Sequence, residues 1–160
     1  MSYSKKDQLQ KVKIKRKAKN NRKALKLKLD KAVIQIIRER DKWTCQHCGK
    51  PVEKSNAHVS HVIPRSHGDN LRWDLLNLKL LCFHCHINWW HKNPIEAYEW
   101  FKGKFPERYD YLMVKKEEVI KFKELDLEEL LEKIKAMEWG EINPHEVKEM
   151  KADLEKSMDW

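Results

Sequence analysis

The spacing of apolar residues divides the chain into helical and extended segments. Apolar residues recur every three or four positions from Ala24 onward, which predicts a helix over residues 24–41. Residues 58–63 are rich in β-branched side chains and alternate as a short strand does, and Pro64 ends them. Residues 77–81 resemble a second strand, and helical signals begin at residues 84–90. The pattern therefore predicts a strand, a loop, a strand and a helix in the middle of the chain.

Start signals for further helices follow this centre. Asn93, Pro94 and Glu96 supply an N-cap, a proline at the first helical position and an acidic third position. Asp126 gives a similar signal, before an apolar stripe of Leu127, Leu130, Leu131, Ile134 and Met137. A third signal stands at Asn143. We expect an α+β protein that is mainly helical.

The charges are distributed unevenly along the chain. The whole sequence holds 34 Lys and Arg against 25 Asp and Glu, whereas residues 1–31 hold 13 basic residues against 2 acidic ones. We expect this arm to be disordered or only partly helical without nucleic acid, and to bind DNA. Its candidate DNA contacts are Lys13, Lys15, Arg16, Lys17 and Lys19. Residues 115–160 hold 9 Lys against 14 acidic residues, so we expect them to avoid DNA and to pack on the core, with pairing of two copies in a homodimer as the alternative.

Several classes of protein are excluded by the same composition. The longest apolar runs are far too short to cross a bilayer, and no apolar stretch follows the first lysines as it would in a secretory signal. With 4 Gly the chain does not favour a glycine-rich phosphate loop. We therefore expect a soluble cytoplasmic protein that contacts no membrane.

All four cysteines fall into two C-x-x-C pairs, Cys45 with Cys48 and Cys82 with Cys85. Two such pairs bring four thiolates around a zinc ion in a tetrahedron. A disulfide is disfavoured because the chain lacks a secretory context, and a thioredoxin-type motif would need a βαβ pattern. We predict a structural zinc site, which is closed and cannot itself catalyse. The histidines within the pairs, at positions 47 and 84, are expected to lie outside the ligand set, and the Trp89–Trp90 pair is expected to cover the zinc.

Three polar residues between and just after the cysteine pairs occur in an order that indicates a known family. His61 lies on the first strand, Asn77 at the second, and His86 directly after the last cysteine. With the sequences His-Val-Ile-Pro, Asn-Leu and Leu-Cys-x-x-Cys-His, residues 36–112 resemble the HNH endonucleases of the ββα-metal fold, in their four-cysteine zinc form. Within this family, the sequence of the region is similar to those of small phage and prophage proteins, some of which are associated with recombination.

The resemblance implies a role for each of these residues. His61 would be the general base, Asn77 would orient it and hold the loop, and His86 would bind a catalytic Mg²⁺ or another divalent cation. The products implied are a 5′-phosphate and a 3′-hydroxyl.

The sequence departs from the family at Ser60, where an Asp or His often binds the metal. His58 lies on the same strand face as Ser60, so we expect it to supply the missing ligand; the alternative is a surface histidine. His91 is less favoured, because it follows His86 by five positions and not four. Arg65 and Arg72 either clamp a phosphate or are ordinary surface charges.

We predict three regions from these patterns: a basic arm over residues 1–31, a zinc-stabilised nuclease core over residues 32–113, and an acidic helical region over residues 114–160. The predicted function is that of a metal-dependent DNA endonuclease, and the resemblance implies a phage or prophage origin. The alternatives are a non-catalytic zinc-knuckle DNA-binding protein and a recombination-type junction endonuclease.

Overall fold

The computed structural model describes residues 5–136, and its elements follow the predicted order. The helices and strands are α1 (Lys5–Arg40), β1 (His58–His61), α2 (Asp69–Arg72), β2 (Leu78–Leu81), a π-helix (His84–Trp90), α3 (Pro94–Lys104), α4 (Pro106–Lys115) and α5 (Glu124–Ala136). The predicted helix after Asn143 and the last stripe residue, Met137, lie outside the described residues. The described part is an α+β fold that is mainly helical, as the sequence predicted.

The two strands form an antiparallel hairpin at the centre of the molecule. His58 stands opposite Leu81, and Ser60 opposite Lys79. Both strands are shorter than predicted. Every residue of β2 is buried, because elements pack on both of its faces. A two-stranded sheet of this length is not stable alone, so its geometry depends on what surrounds it.

Helix α1 begins far earlier than the sequence predicted. We expected a stable helix only from residue 24, with a disordered or only partly helical arm before it, but α1 begins at Lys5 and runs without a break to Arg40. The reason is that residues 5–40 contain no glycine or proline and are rich in Lys, Arg, Leu, Gln and Ala, which all favour the helix. Its second half is anchored by buried Leu29, Val33 and Ile37, whereas residues 11–20 are exposed.

Helix α5 packs along α1 and buries its apolar stripe through Leu127, Leu131 and Ile134. The helix begins three residues before the predicted start. Asp126 is not its N-cap but accepts a hydrogen bond from the backbone of Lys123 at 2.6 Å, as the third residue of a capping box does. The described part of the acidic region thus packs on the protein itself.

Helix α3 begins at Pro94, as predicted, and places Ala97 and Phe101 in the core. Asn93 makes no side-chain cap, and instead its backbone carbonyl accepts from the N–H of Ala97. Among residues 5–136, no helix is both long enough and apolar enough to cross a membrane.

Candidate active site and metal centre

The four cysteine sulfurs meet at one point, and all lie within 4.8 Å of one another. Four ligands at zinc–sulfur distances of ~2.3 Å would stand roughly 3.8 Å apart in a tetrahedron, and the sulfurs of Cys48 and Cys82 are 3.9 Å apart. Burial, together with the neighbouring thiols, raises the pKa of Cys85. Four ionised sulfurs in this space therefore need a cation, and the cluster fits a metal such as zinc.

Local backbone geometry builds each half of the cluster. The first pair lies in a tight turn in which Gly49, at φ 72°, donates to the carbonyl of Cys45. A side chain at this positive φ would be strained. The second pair opens the π-helix, where the N–H of Cys85 points at the sulfur of Cys82. The backbone of Gln46 donates to the carbonyl of Leu80, so the first turn is also attached directly to β2.

The histidines of the two pairs lie outside the sulfur cluster. His47 stands with Nδ1 3.2 Å from the sulfur of Cys85, and His84 is exposed. Trp89 stacks on the ring of His47 at 3.6 Å, so it covers the cluster through that histidine. Trp90 makes no ring contact with His47 and lines a cavity instead, so the prediction that both tryptophans cover the zinc holds only for Trp89.

That cavity, of about 720 Å³, lies between α1, β1, the loop after β1 and the end of the π-helix. His61 and His86, which are 25 positions apart in the sequence, both line it. Arg65 and His91 stand on its wall as well. The hairpin and the π-helix thus bring two of the residues named by the sequence pattern to one solvent-accessible space.

His61 ends β1 and is held by its backbone neighbour across the loop. Its Nε2 atom lies 3.0 Å from the carbonyl oxygen of Arg72. Since a carbonyl only accepts, Nε2 carries the proton and Nδ1 keeps a free lone pair. Burial is the main cause that lowers the pKa of His61, and the positive charges of Arg65, Lys79 and Arg72 add to it, against the bond to the carbonyl. At neutral pH the ring is therefore uncharged.

Asn77 is fully buried, and both polar atoms of its side chain form hydrogen bonds with the loop between the strands. Its Nδ2 donates to the carbonyls of Ile63 at 2.9 Å and Leu71 at 2.8 Å, while its Oδ1 accepts from the N–H of Ile63 at 2.7 Å. Leu71 directly precedes Arg72, whose carbonyl holds His61. Asn77 does not touch His61 itself, and acts on it through the position of this loop.

Helix α1 holds the same loop from the outside. Asp30 accepts from the guanidinium of Arg72 at 2.7 Å and from the indole N–H of Trp73 at 2.7 Å. Burial alone would raise the pKa of Asp30, but these bonds outweigh it and lower the pKa. Asp69 likewise accepts from Lys26 at 2.5 Å and Arg22 at 3.1 Å. The sequence pattern missed both anchors, because they join residues more than 40 positions apart.

The two candidate phosphate contacts therefore differ in environment. The guanidinium of Arg72 is bound to Asp30 and lies 5.3 Å from the ring centroid of Trp73. Arg65 is exposed on the cavity wall. Both arginines line the cavity, and Arg65 is the more exposed of the two.

Three histidines form a chain of contacts beside the cavity. Nδ1 of His86 lies 3.0 Å from Nδ1 of His58, and Nε2 of His86 lies 3.0 Å from Nε2 of His91. His86 thus has a neighbour at each nitrogen. Both histidines that the sequence ranked as additional ligand candidates are within reach of it.

The burial of Lys79 is a feature that the sequence pattern did not reveal. In a run of alternating residues it reads as an exposed position, yet its side chain is 0% exposed. Its Nζ lies 3.1 Å from the ring centroid of Trp90 and 3.5 Å from the carbonyl of His61. Burial lowers the pKa of Lys79 well below its usual value. Ser60, opposite Lys79 in the hairpin, has a buried hydroxyl for which the described residues offer no hydrogen-bond partner.

Comparison with known protein families gives one match: residues 45–88 match the HNH endonuclease family. The matched segment runs from the first cysteine to just past His86, and contains the sulfur cluster, both strands and His61. Curated proteins and solved structures give no significant match. The family match supports a nuclease-type function for this segment.

The cysteine cluster leads to a first prediction. Metal analysis of the purified protein should find about one zinc per chain, and Cys45→Ser or Cys82→Ser should lose the zinc and unfold the central region, because the ligand energy is folding energy. Circular dichroism during heating measures the second effect.

His84→Ala is the matched control, since His84 is exposed between the two cysteines of the second pair. It should keep both the zinc and the melting curve. A folded protein without bound metal, whose melting is unchanged by either cysteine substitution, would contradict the assignment.

Proposed function

We propose that this chain, whose residues 45–88 carry the HNH endonuclease pattern, is a metal-dependent DNA endonuclease that hydrolyses phosphodiester bonds. The observation that carries the proposal is the state of His61. Its Nε2 is held by a carbonyl, and its ring is uncharged and lines the same cavity as His86. A general base and a metal-binding imidazole on one cavity wall are suited to hydrolysis of a phosphodiester.

His61 would take the proton from the attacking water. With Nε2–H bound to the Arg72 carbonyl, Nδ1 is the atom that accepts this proton. The resulting imidazolium keeps its Nε2–H bond to the carbonyl, which stabilises the charged ring more than the neutral one. Asn77 is a positioning residue in this scheme, since its bonds to Ile63 and Leu71 fix the loop that carries the carbonyl.

His86 would hold a divalent cation at the cavity. Its imidazole is half-buried at the start of the π-helix, and ring nitrogens are suitable donors for such an ion. When bound, a divalent cation supplies charge that stabilises the phosphate and the leaving oxygen. Arg65 would contact the phosphate from the facing wall. The products would carry a 5′-phosphate and a 3′-hydroxyl.

The exposed part of α1 would bind the DNA backbone. Over residues 11–20 every side chain is exposed, and the basic ones include Lys13, Lys15, Arg16, Lys17 and Lys19. Because α1 is one continuous helix, these charges extend from the same element that lines the cavity with Asp30 and Ile34. Contacts of this type are electrostatic and carry no base specificity. A DNA substrate accords with a cytoplasmic location.

His61→Ala tests the proposal directly. The variant should lose cleavage of supercoiled plasmid by at least about a hundredfold, while its melting temperature and DNA affinity stay close to those of the wild type, because the base acts only in the chemical step. Gel assays with a divalent cation measure cleavage, and fluorescence anisotropy measures binding.

His84→Ala, outside the cavity, should cut at the wild-type rate. Equal rates for His61→Ala and the wild type would refute the base. Binding without any cleavage by the wild type itself would favour a non-catalytic DNA-binding protein.

The lowered pKa of His61 predicts the pH dependence of cleavage. The base must be unprotonated, so the rate falls as the pH drops through its pKa. Burial and the cations Arg65, Arg72 and Lys79 hold this pKa below 6.5, and the half-maximal single-turnover rate should therefore lie below pH 6.5. Arg65→Gln removes one of these cations, so its half-maximal point should move to higher pH.

Lys133→Gln, an exposed lysine on α5, is the matched control and should leave the profile unchanged. Both profiles are measured at saturating metal. A wild-type midpoint above 6.5, or no shift in Arg65→Gln, would contradict the environment assigned to His61.

The exposed basic residues of the arm predict that the affinity for DNA depends on the salt concentration. Each phosphate contact adds roughly −0.9 to the slope of log affinity against log salt. Replacing the four exposed lysines 13, 15, 17 and 19 with Gln should flatten the slope by up to about 3.6 and weaken binding, while the position of cleavage stays the same. This design leaves Arg22 and Lys26 bound to Asp69.

The matched control replaces lysines 121, 123, 133 and 135, at or near α5, with Gln. Its net charge change is the same. If the two quadruple variants show equal slopes, the arm does not bind DNA.

A further inference from the structure

We infer that the divalent ion is held between Nε2 of His86 and Nε2 of His91, and that His58 fixes the ring of His86 from the other side. The inference rests on the proposed function and names the ligands of its metal. It differs from the expectation from the sequence, which favoured His58 over His91. It also implies an ion that prefers nitrogen ligands, such as Ni²⁺, Co²⁺ or Zn²⁺.

The geometry of His86 allows only one of the two neighbouring histidines to share an ion with it. The two ring nitrogens of an imidazole have lone pairs that diverge in the plane of the ring. Nδ1 faces His58 and Nε2 faces His91, each across 3.0 Å. One ion cannot occupy both positions, so only one of these histidines can share it with His86.

Access to the cavity distinguishes His91 from His58. His86 and His91 both line the cavity that contains His61, whereas His58 is not among the lining residues. A phosphate that is attacked by water from His61 must lie in this cavity. An ion that contacts the same phosphate must therefore be on the Nε2 side of His86.

The spacing of five residues between His86 and His91 disfavoured His91 as a ligand when only the sequence was considered. In an α-helix two residues five apart are separated by about 140° around the axis. Here the segment is a π-helix, in which the N–H of His91 donates to the carbonyl of His86 at 3.3 Å. The wider turn places both imidazoles on the same side, and π-helical turns occur often at functional sites.

The tautomer of His86 decides which of its ring nitrogens is free to bind the ion. If His86 carries its proton on Nδ1, it donates to Nδ1 of His58 and leaves the Nε2 lone pair free for the ion. Histidine ligands usually have their second nitrogen bound in this way, which fixes the orientation of the ring. His58 is itself placed by β1 and by edge contact with Phe83 at 5.5 Å. It is thus a positioning residue.

The chemistry of the pair indicates the class of ion. Two imidazole nitrogens at 2.0–2.1 Å from one tetrahedral ion stand about 3.3 Å apart, close to the observed 3.0 Å. Imidazoles suit Zn, Cu, Fe and Ni, whereas Mg²⁺ prefers oxygen ligands. The carboxylate on the cavity wall, Asp30, is bound to Arg72 and Trp73. Water and phosphate oxygens would complete the coordination.

Calorimetric titration of Ni²⁺ into the untagged, zinc-loaded full-length protein tests this inference without measuring activity. The same substitution is made at both positions. His91→Asn should weaken Ni²⁺ binding at least tenfold, because it removes a ligand. His58→Asn should stay within about threefold of the wild type, because the Asn carbonyl can still accept from Nδ1–H of His86. Excess Mg²⁺ should not displace the Ni²⁺.

Two controls separate the possible failures. His84→Asn, exposed and outside the cavity, should bind as the wild type does, and His86→Asn should abolish binding. If His86→Asn leaves binding unchanged, the metal in the proposed function is wrong. If binding depends on His86 but His91→Asn binds normally, or His58→Asn loses as much as His91→Asn, this inference alone is overturned.

Discussion

The site depends on one constraint, the meeting of two distant pairs of cysteines. Their sulfurs join the turn at Cys45 and Cys48 to the start of the π-helix at Cys82 and Cys85. Between them lie two strands of four residues each, too short to form a stable sheet in isolation. A metal at the sulfurs would close this segment. Within it, His61 at the end of one strand reaches the cavity wall on which His86 stands directly after the last cysteine.

A second constraint orients His61 within that frame. Arg72 holds His61 with its backbone carbonyl and Asp30 of α1 with its guanidinium. Asn77 holds the preceding residue from inside the loop. Helix α1 therefore has two connected parts: an exposed, basic first half, and a second half that fixes the loop behind His61. A DNA duplex bound along the first half would lie on an element that is rigidly attached to the site.

The sequence predicted those features that depend on local pattern or on a strong chemical requirement. Four cysteines in two C-x-x-C pairs have few uses besides binding a metal, so their meeting could be predicted. The strands and the start of α3 also followed from periodicity and from Pro94. Features decided by long-range packing could not be predicted. Lys79 follows the alternation of an exposed residue and is buried because both faces of β2 are covered.

The remaining differences have equally physical causes. The arm was expected to be disordered or only partly helical because it has few apolar residues, but helix propensity without any breaker makes it part of α1. His91 was ranked low because its spacing was judged for an α-helix, and the segment is a π-helix. Trp90 was paired with Trp89 by adjacency, although the helix turns the two rings to different sides. The differences at the arm and at Trp90 arose where a local rule was applied but the surrounding structure sets the geometry, and the rank of His91 as a ligand stays a prediction.

The central claim is that the cavity hydrolyses DNA, and the chemistry of the cut ends tests it most directly. Wild-type, zinc-loaded protein is incubated with supercoiled plasmid and a divalent cation, and the ends of the products are analysed by labelling before and after phosphatase treatment. The account predicts cation-dependent conversion of the plasmid and ends that carry a 5′-phosphate and a 3′-hydroxyl. Plasmid that is bound but never cut under these conditions, or cut to give 3′-phosphates, would contradict it.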